Sequence, residues 1–394
     1  MFKAEGNLSN LAPTSDSPVN FRVDKAKGIY LYDQGGNQYI DLISGISVNN
    51  LGHQNPEIIS AINQQVSNYL HVMAYGEYIQ EPQINLAKRL SELLPETLNC
   101  AFFVNSGSEA VEGALKLARR YTGKSKIIAM QNAYHGSTFG AMSVMGGRKY
   151  TQAFAPLLPS VEFMEFNNEG DLNKVDDQTG CVIAEPIQGE AGAIPAERSY
   201  LEKLREVCTK HGSLLIFDEV QTGMGRTGSL FCFEDYGITP DVLILAKALG
   251  GGMPLGAFIS SKVIMRSLTT NPVLGHITTF GGHPVSCAAA IASLDELSKP
   301  NIVGKVREKE AVFRELLTHK NIKEITGKGL LLAIHFETNE FAQAVTKNCL
   351  NNGLLTDWFL FAENALRISP PLIITYEQIK VACKIIIKSI DEAT

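Results

Sequence analysis

Lys247 stands where an apolar strand runs out. Val242 to Ala246 reads as a buried strand, because short branched aliphatic runs pack on both faces of a parallel sheet, and a lysine and then a chain of glycines follow at once. Lost hydration at such a place disfavours the ammonium form and lowers its pKa. A neutral amine is a nucleophile that forms an imine with an aldehyde; the plain alternative is a strand-end lysine that snorkels to solvent. Asp218 closes a second apolar run, "SLLIFD". An acid buried there needs a cation or several donors, either a protonated ring nitrogen or the turn that it caps. In "FFVNSGSEAVEGALKLARR" a strand, a tight turn and a helix follow one another, with Ser106 and Glu109 in capping-box register. Ser106, Gly107 and Ser108 at that helix start would suit a phosphate or simply cap a helix. Tyr134 and His135 follow the run "KIIAM", where an aromatic ring would stack on a flat ligand or fill a loop. None of these features is specific alone. An imine-forming lysine, an acid for a pyridine nitrogen, a phosphate turn and an aromatic platform together match the parts of pyridoxal phosphate (PLP).

One pattern points elsewhere. Gly223, Gly225 and Gly228 spell G-x-G-x-x-G after a strand, the spacing of a dinucleotide site. That fingerprint needs its last glycine inside a helix, whereas "SLFCFEDYGITPD" has no helical period and ends in Pro240. A nicotinamide-dependent dehydrogenase is the weaker reading.

The elements that must hold these residues alternate. From about residue 100, "AFFVN", "KIIAM", "CVIAEP", "LLIFDE", "VLILAK" and "GAFIS" read as strands. Between them lie amphipathic helices such as "SEAVEGALKLARRY" and "YLEKLREVCTKHG", the second closing on His211 and Gly212. Such alternation predicts an α/β fold with a mostly parallel sheet, and ligands then sit at the carboxyl ends of its strands. Asn105, Ser106, Glu185, Asp218, Glu219 and Lys247 all fall at those ends. Before this region, Tyr30 to Tyr39 reads as a hairpin, and Pro56 to Leu70 as a helix with Ile58, Ile62, Val66 and Tyr69 inward. After Pro284 longer helices follow, with strands at Leu330–Phe336 and Leu366–Ile368. The expected organisation is a large domain over 51–285 and a smaller α+β domain built from 1–50 and 286–394.

Composition narrows the class. The chain has 394 residues, 45% hydrophobic and 19% charged, enough for a large core. A formal charge of −6 gives no electrostatic reason to expect nucleic acid or an anionic membrane. No stretch is long and apolar enough to span a bilayer, and "MFKAEGNLSN" lacks the order of a signal peptide. Seven scattered cysteines without a C-x-x-C pair favour reduced thiols over a disulfide scaffold or a metal site. A cytoplasmic protein with no metal is expected.

With these residues in place, the chain resembles the class III PLP-dependent aminotransferases of the ornithine, acetylornithine and 4-aminobutyrate type. The resemblance rests on "GIYLYDQGGNQYIDLISG", "NSGSEAVEGALKLAR", "YHGST", "AEPIQGEAG", "LLIFDEVQTGMGRTG", "LAKALGGGMPLGA", "TTFGGHPVSCAAA" and "LRISPPLIIT". It implies the fold type I architecture of PLP-dependent transferases and a homodimer with active sites at the subunit interface. By resemblance Lys247 carries PLP as a Schiff base and serves as general base, while Asp218 pairs with the pyridine nitrogen. Val220 packs beneath the ring, Gln221 reaches the phenolic oxygen, and Tyr134 stacks on the ring beside His135. Ser106, Gly107 and Ser108 hold the phosphate, and Thr279 reaches the phosphate of the partner subunit, with Thr278 beside the substrate. Arg367 resembles the arginine that clamps the α-carboxylate of glutamate or 2-oxoglutarate, and Glu190 the gate that pairs with it when other substrates bind.

The implied reaction moves an amino group from an ω-amino or acylated diamino acid, in the manner of acetylornithine, to 2-oxoglutarate, ping-pong through pyridoxamine phosphate. Ser137 follows "HG" where many relatives place a carboxylate-binding arginine, Ile46 replaces the tyrosine of ornithine δ-aminotransferases, Thr326 stands for the usual arginine before G-x-G-L, and His283 makes "FGGHP" of "FGGNP". Ser137 leaves open a diamine donor or one anchored elsewhere, with Arg148 a candidate anchor. A 4-aminobutyrate aminotransferase and a glutamate-1-semialdehyde aminomutase are the remaining PLP alternatives.

Overall fold

Branched apolar runs without polar alternation build the central sheet. The computed structural model describes residues 10–394 apart from positions 13, 16, 17 and 75. Seven strands lie in the spatial order Cys100–Val104, Gly256–Ser260, Val242–Leu245, Leu214–Asp218, Thr179–Ala184, Lys126–Met130 and Val161–Met164. Gly256–Ser260 runs antiparallel to both neighbours, and the remaining pairs are parallel. Every strand expected between residues 100 and 260 is present. The seventh, Val161–Met164, carried no recognisable signal: it is an edge strand whose Glu162 turns outward to Lys126 at 2.8 Å, so no apolar run marks it.

Helices cover the sheet as the periodicity requires. Gly107–Thr122 buries Val111, Ala114, Leu115 and Ala118, and ends at Gly123 with φ +71°. Arg198–Lys210 buries Leu201, Leu204 and Cys208 and gives way to His211 and Gly212, the latter at φ +58°. The Gly223–Gly228 stretch is a series of turns with no α-helix after it; only the short 3-10 segment Cys232–Asp235 follows. The dinucleotide geometry is therefore absent there.

One inward set needs correction. In the helix Pro56–Asn68, Ile58 is buried but Val66 is 44% exposed, and Gln65 turns inward instead, donating to the Tyr69 carbonyl at 3.0 Å. At 100° per residue, position 65 returns to within about 20° of Ile58 and position 66 overshoots by about 80°.

Two further small sheets follow, the first of which draws on both halves of the chain. Val23–Lys27, Tyr30–Asp33 and Gln38–Asp41 form an antiparallel meander, and Leu354–Leu355 adds a parallel strand beside Gln38–Asp41. Glu324–Lys328, Leu331–His335 and Ala365–Ile368 form the second sheet; its first strand is half-exposed and was hidden by its polar sequence. After the meander the chain makes a left-handed turn, Ser44 to Ser47, with φ of 47°, 64°, 60° and 61°. Left-handed backbone costs about 1–2 kcal/mol for each residue with a side chain, so neighbours must hold it. Asp41 accepts from the amides of Ile43 and Ser44, each at 2.8 Å, and the Ser44 hydroxyl donates to the Ser369 carbonyl at 2.6 Å.

Arg226 ties these parts together. Its fully buried guanidinium donates to the carbonyls of Leu330 and Pro370, to Asn50, and to Ser44 Oγ at 3.2 Å. Arg226→Met would leave those acceptors buried and unpaired, at a cost of about 1–3 kcal/mol each. We expect the urea unfolding midpoint to fall by about 1 M, whereas an unchanged midpoint would make the network dispensable.

All seven cysteines are free, six of them buried. Among the described residues, no helix is long and apolar enough to cross a membrane, and no cluster of ligating side chains would hold a metal.

Candidate active site

The carboxyl ends of the parallel strands open into a cavity of about 420 Å³. Ser106, Gly107, Ser108, Tyr134, His135, Asp218, Val220, Gln221 and Lys247 all line it. Nine positions spread over some 140 residues of sequence thus converge because four strands and one helix end at the same rim.

Lys247 follows the strand Val242–Leu245 in the left-handed region, φ 48°. That is strained for a residue with a side chain, and such strain collects at functional positions. It is half-buried and opens onto the cavity that it lines. Burial pulls its pKa down; the charges of Glu190, Asp218 and Glu185 oppose this, and Arg367 adds to it. The outcome is an amine below the ordinary lysine value.

Asp218 ends its strand 4% exposed. Its carboxylate accepts from the Val220 amide at 3.0 Å and meets His135 Nδ1 at 2.7 Å. Burial opposes a charged His135, but the hydrogen bond and charge of Asp218, with Glu185 behind, carry its pKa above the ordinary value. Glu185 is a further member of the cavity wall: burial raises its carboxyl to about 8, even though it accepts from the amides of Tyr134 and Gly189. It was visible only as a polar strand tip.

The helix Gly107–Thr122 presents its first turn to the cavity, where N–H groups have no intrahelical partner. Ser106 caps it, accepting from the Glu109 amide at 3.2 Å. The reciprocal half of the expected capping box is not made. Glu109 turns to Asn105 instead, accepting from its amide and its Nδ2 at 2.8 Å each, and so fixes the residue before the turn. A Cβ on Gly107 would stand 3.1 Å from the Val220 side chain, and one on Gly136 would strike Ser108 Oγ at 2.1 Å. Both glycines are there for close approach.

Arg367 and Glu190 lie outside the cavity lining, yet their charges act on Lys247. Arg367 is 1% exposed. Its Nη2 donates to Glu190 at 3.0 and 3.1 Å, and its Nε to Asp357 at 2.7 Å. The guanidinium lies 4.2 Å from the Phe359 ring centroid. Sequence reading missed Asp357, which nothing in the local pattern distinguishes from a loop acid.

Several expected contributors lie elsewhere in this chain. Thr278 Oγ1 accepts from Asn105 Nδ2 at 3.1 Å and so touches a residue of the cavity wall, while Thr279 is exposed and away from it. Ser137 is exposed and meets Tyr134 OH at 3.2 Å. Ile46 is exposed within the left-handed turn. Arg148 lines a separate surface hollow that shares no lining residue with the lysine cavity. His283 caps the helix Pro284–Leu297, accepting from the Val285 amide at 3.3 Å, and stacks on His71.

Three buried polar atoms here have no partner among the described residues: Gln221 Nε2, His135 Nε2 and Arg367 Nη1. An unpaired buried donor is costly, and such atoms mark places where a ligand completes the structure. PLP fits this set. Gln221 offers a donor to its phenolic oxygen, the helix start offers amides and hydroxyls to its phosphate, Asp218 offers an anion to its pyridinium, and Lys247 offers an amine to its aldehyde.

Comparison with known proteins agrees with this chemistry. The family model "Aminotransferase class-III" matches residues 11–390. The chain is similar to the acetylornithine aminotransferase of Clostridium acetobutylicum, 41% identical over 94% of this chain and 96% of that protein. It is also similar to the succinylornithine transaminase of Salmonella typhimurium, 40% identical over 92% and 90%. A PLP-bound amine transaminase from an uncultivated Pseudomonas species superposes with a TM-score of 0.90 at 27% identity, over 97% of this chain and 98% of that one.

Proposed function

This chain belongs to the class III aminotransferases and depends on PLP, and from that premise we propose that it moves the terminal amino group of an N-acylated diamino acid such as N-acetylornithine to 2-oxoglutarate. The observation that carries the two-substrate reading is the buried pair Arg367–Glu190 beside Lys247. A guanidinium neutralised by a displaceable carboxylate serves a donor with nothing to bind there, and then an oxo acid whose carboxylate takes the place of Glu190. An aminomutase has no second oxo acid to accommodate.

Bound PLP supplies an aldehyde and an electron sink for the electrons left when the substrate C–H bond breaks. The side chains divide the remaining work. Lys247 Nζ, its pKa lowered by burial, would take the proton from the substrate carbon and return it. Asp218 would hold the proton of the ring nitrogen in place, and His135 fixes the Asp218 carboxylate. Val220 and Tyr134 would confine the ring, and the first turn of the Gly107–Thr122 helix would hold the phosphate.

We further propose that residues 51–285 form the large domain and that 286–394 with the described part of 1–50 form the small one, the rest of 1–50 lying outside the described residues. A homodimer is supported by the segments around His71 and Phe280, which touch at 4.8 Å between rings. With Ile79 at 87% exposure and Val273, Ile277 and Phe280 also exposed, they form an apolar surface of the kind that associates. Thr279 lies in this surface, suited to a neighbouring subunit's phosphate. Seven free thiols support a cytoplasmic setting.

Ser137 favours one second reading. It offers a neutral hydroxyl, already engaged with Tyr134, where a carboxylate-bearing donor gains from arginine, and a diamine needs no such partner. The purified holoenzyme should lose its visible absorbance faster with N-acetylornithine than with putrescine at equal concentration. The reverse order would replace the proposal with a diamine aminotransferase.

A further inference from the structure

The turn that carries Glu190 is fastened at two points to one sheet. Glu190 sits between the paired segments Ile187–Gln188 and Ile194–Pro195. At one point its carboxylate meets Arg367 and accepts from the Leu360 amide, while its carbonyl accepts from the Phe361 amide. At the other, two residues on, the Gly192 carbonyl accepts from the Thr326 hydroxyl at 2.5 Å. Thr326 also lies 2.8 Å from His335 Nε2. A hydroxyl has one proton; with it given to Gly192, His335 must donate from Nε2 to Thr326. Gly192 stands at φ +91°, and a Cβ there would lie 2.8 Å from the His335 ring, so the imidazole seats the turn as well as orienting the threonine.

The register makes this a single frame. Thr326 faces Ala333 across one strand pair, and Ala333 faces Arg367 across the next. Latch and clamp therefore occupy the same row of the sheet Glu324–Lys328, Leu331–His335 and Ala365–Ile368, two strands apart. A strand spacing of about 4.8 Å cannot change without breaking the sheet, so the distance between the two fastenings is fixed.

We propose that Thr326, oriented by His335, is a positioning residue that latches the Glu190 turn in its closed place and thereby sets the balance between the two substrate classes. The proposal rests on the reading of Arg367 and Glu190 as clamp and gate. With Gly192 held, opening is confined to rotation of the Glu190 side chain, and the carboxylate returns to Arg367 as soon as the oxo acid leaves. Without the latch the whole turn is free, and the closed arrangement that a donor requires loses one hydrogen bond. Substrates that displace Glu190 have no use for that bond.

The test compares two amines that bleach the same absorbance band in single-turnover experiments. L-Glutamate engages Arg367; the faster of N-acetylornithine and putrescine does not. In Thr326→Val, kcat/KM for the latter should fall relative to glutamate by about fivefold, the factor one neutral hydrogen bond is worth, and Thr326→Ser should restore the ratio to within about twofold. His335→Phe, which keeps a ring and loses the donor, should shift the ratio in the same direction and carries the test if Thr326→Val does not fold. Equal losses with both amines, or no recovery in Thr326→Ser, would overturn the latch. Glu190→Gln separates the two readings. If it shifts the ratio and Thr326→Val does not, the gate stands without a latch; if neither shifts it, the gate itself falls and the latch with it.

Discussion

Replacing Lys247 with alanine lowers turnover by about 10⁴-fold or more, and the variant purifies without visible absorbance above the protein band. The size follows from two roles lost at once. General base catalysis alone contributes about 10²–10⁴-fold, and the covalent attachment that splits a difficult step into easier ones is lost as well. Arginine cannot substitute, because its guanidinium keeps its proton. Burial lowers the Lys247 pKa against the pull of three carboxylates, which favours the neutral amine. A visible band that survives in Lys247→Ala would mean that another amine carries the cofactor. Among the described residues, no other lysine lines the cavity.

Asp218→Asn is the second large effect, and it should look different. The side chain keeps its size, and the helix start, Gln221 and Lys247 still hold the cofactor, so the colour remains. What disappears is the anion that keeps a proton on the ring nitrogen. Removing one preorganised electrostatic partner in a water-poor site costs about 10²–10³-fold in kcat, and we expect a loss at the upper end of that range. The His135 titration moves with it. Asp218 holds His135 above the ordinary value of 6.5, so the stability that the pair contributes is complete below that pH and fades as pH rises through the raised value. In Asp218→Asn, burial acts unopposed by its main partner, and the imidazole should titrate lower by NMR. Near-normal turnover would remove Asp218 from the chemistry.

The core of this site was legible because a parallel strand buried on both faces has few options for polar residues except at its end. Asp218, Glu185 and Lys247 stood out for that reason, and the glycine turn before the Gly107 helix for a similar one. The legible part stops where residues meet through the fold alone. Asp357 touches Arg367 from a loop without a pattern, and Thr326 reaches Gly192 across 134 residues. The edge strand Val161–Met164 and the half-exposed Glu324–Lys328 lack apolar runs because neither is buried on both sides. Two local expectations failed for geometric reasons: Val66 lies a fraction of a turn past the buried face, and Glu109 finds Asn105 before it finds Ser106.

The left-handed turn at Ser44 to Ser47 also sets an order of events in time. Its hold on Ser369 spans 325 residues, and the Leu42 amide and carbonyl bind Leu355 and Ser369. A ribosome adding about 5–20 residues per second needs roughly 15–65 s to supply those partners. Until then only local bonds, such as those from the Ile43 and Ser44 amides to Asp41, hold the turn in its costly conformation, and the meander before it lacks its fourth strand. The segment made early must wait, unfinished, for the segment made late. This part of the molecule therefore assembles late, and Val48, the neighbour of that turn in the cavity wall, is placed with it.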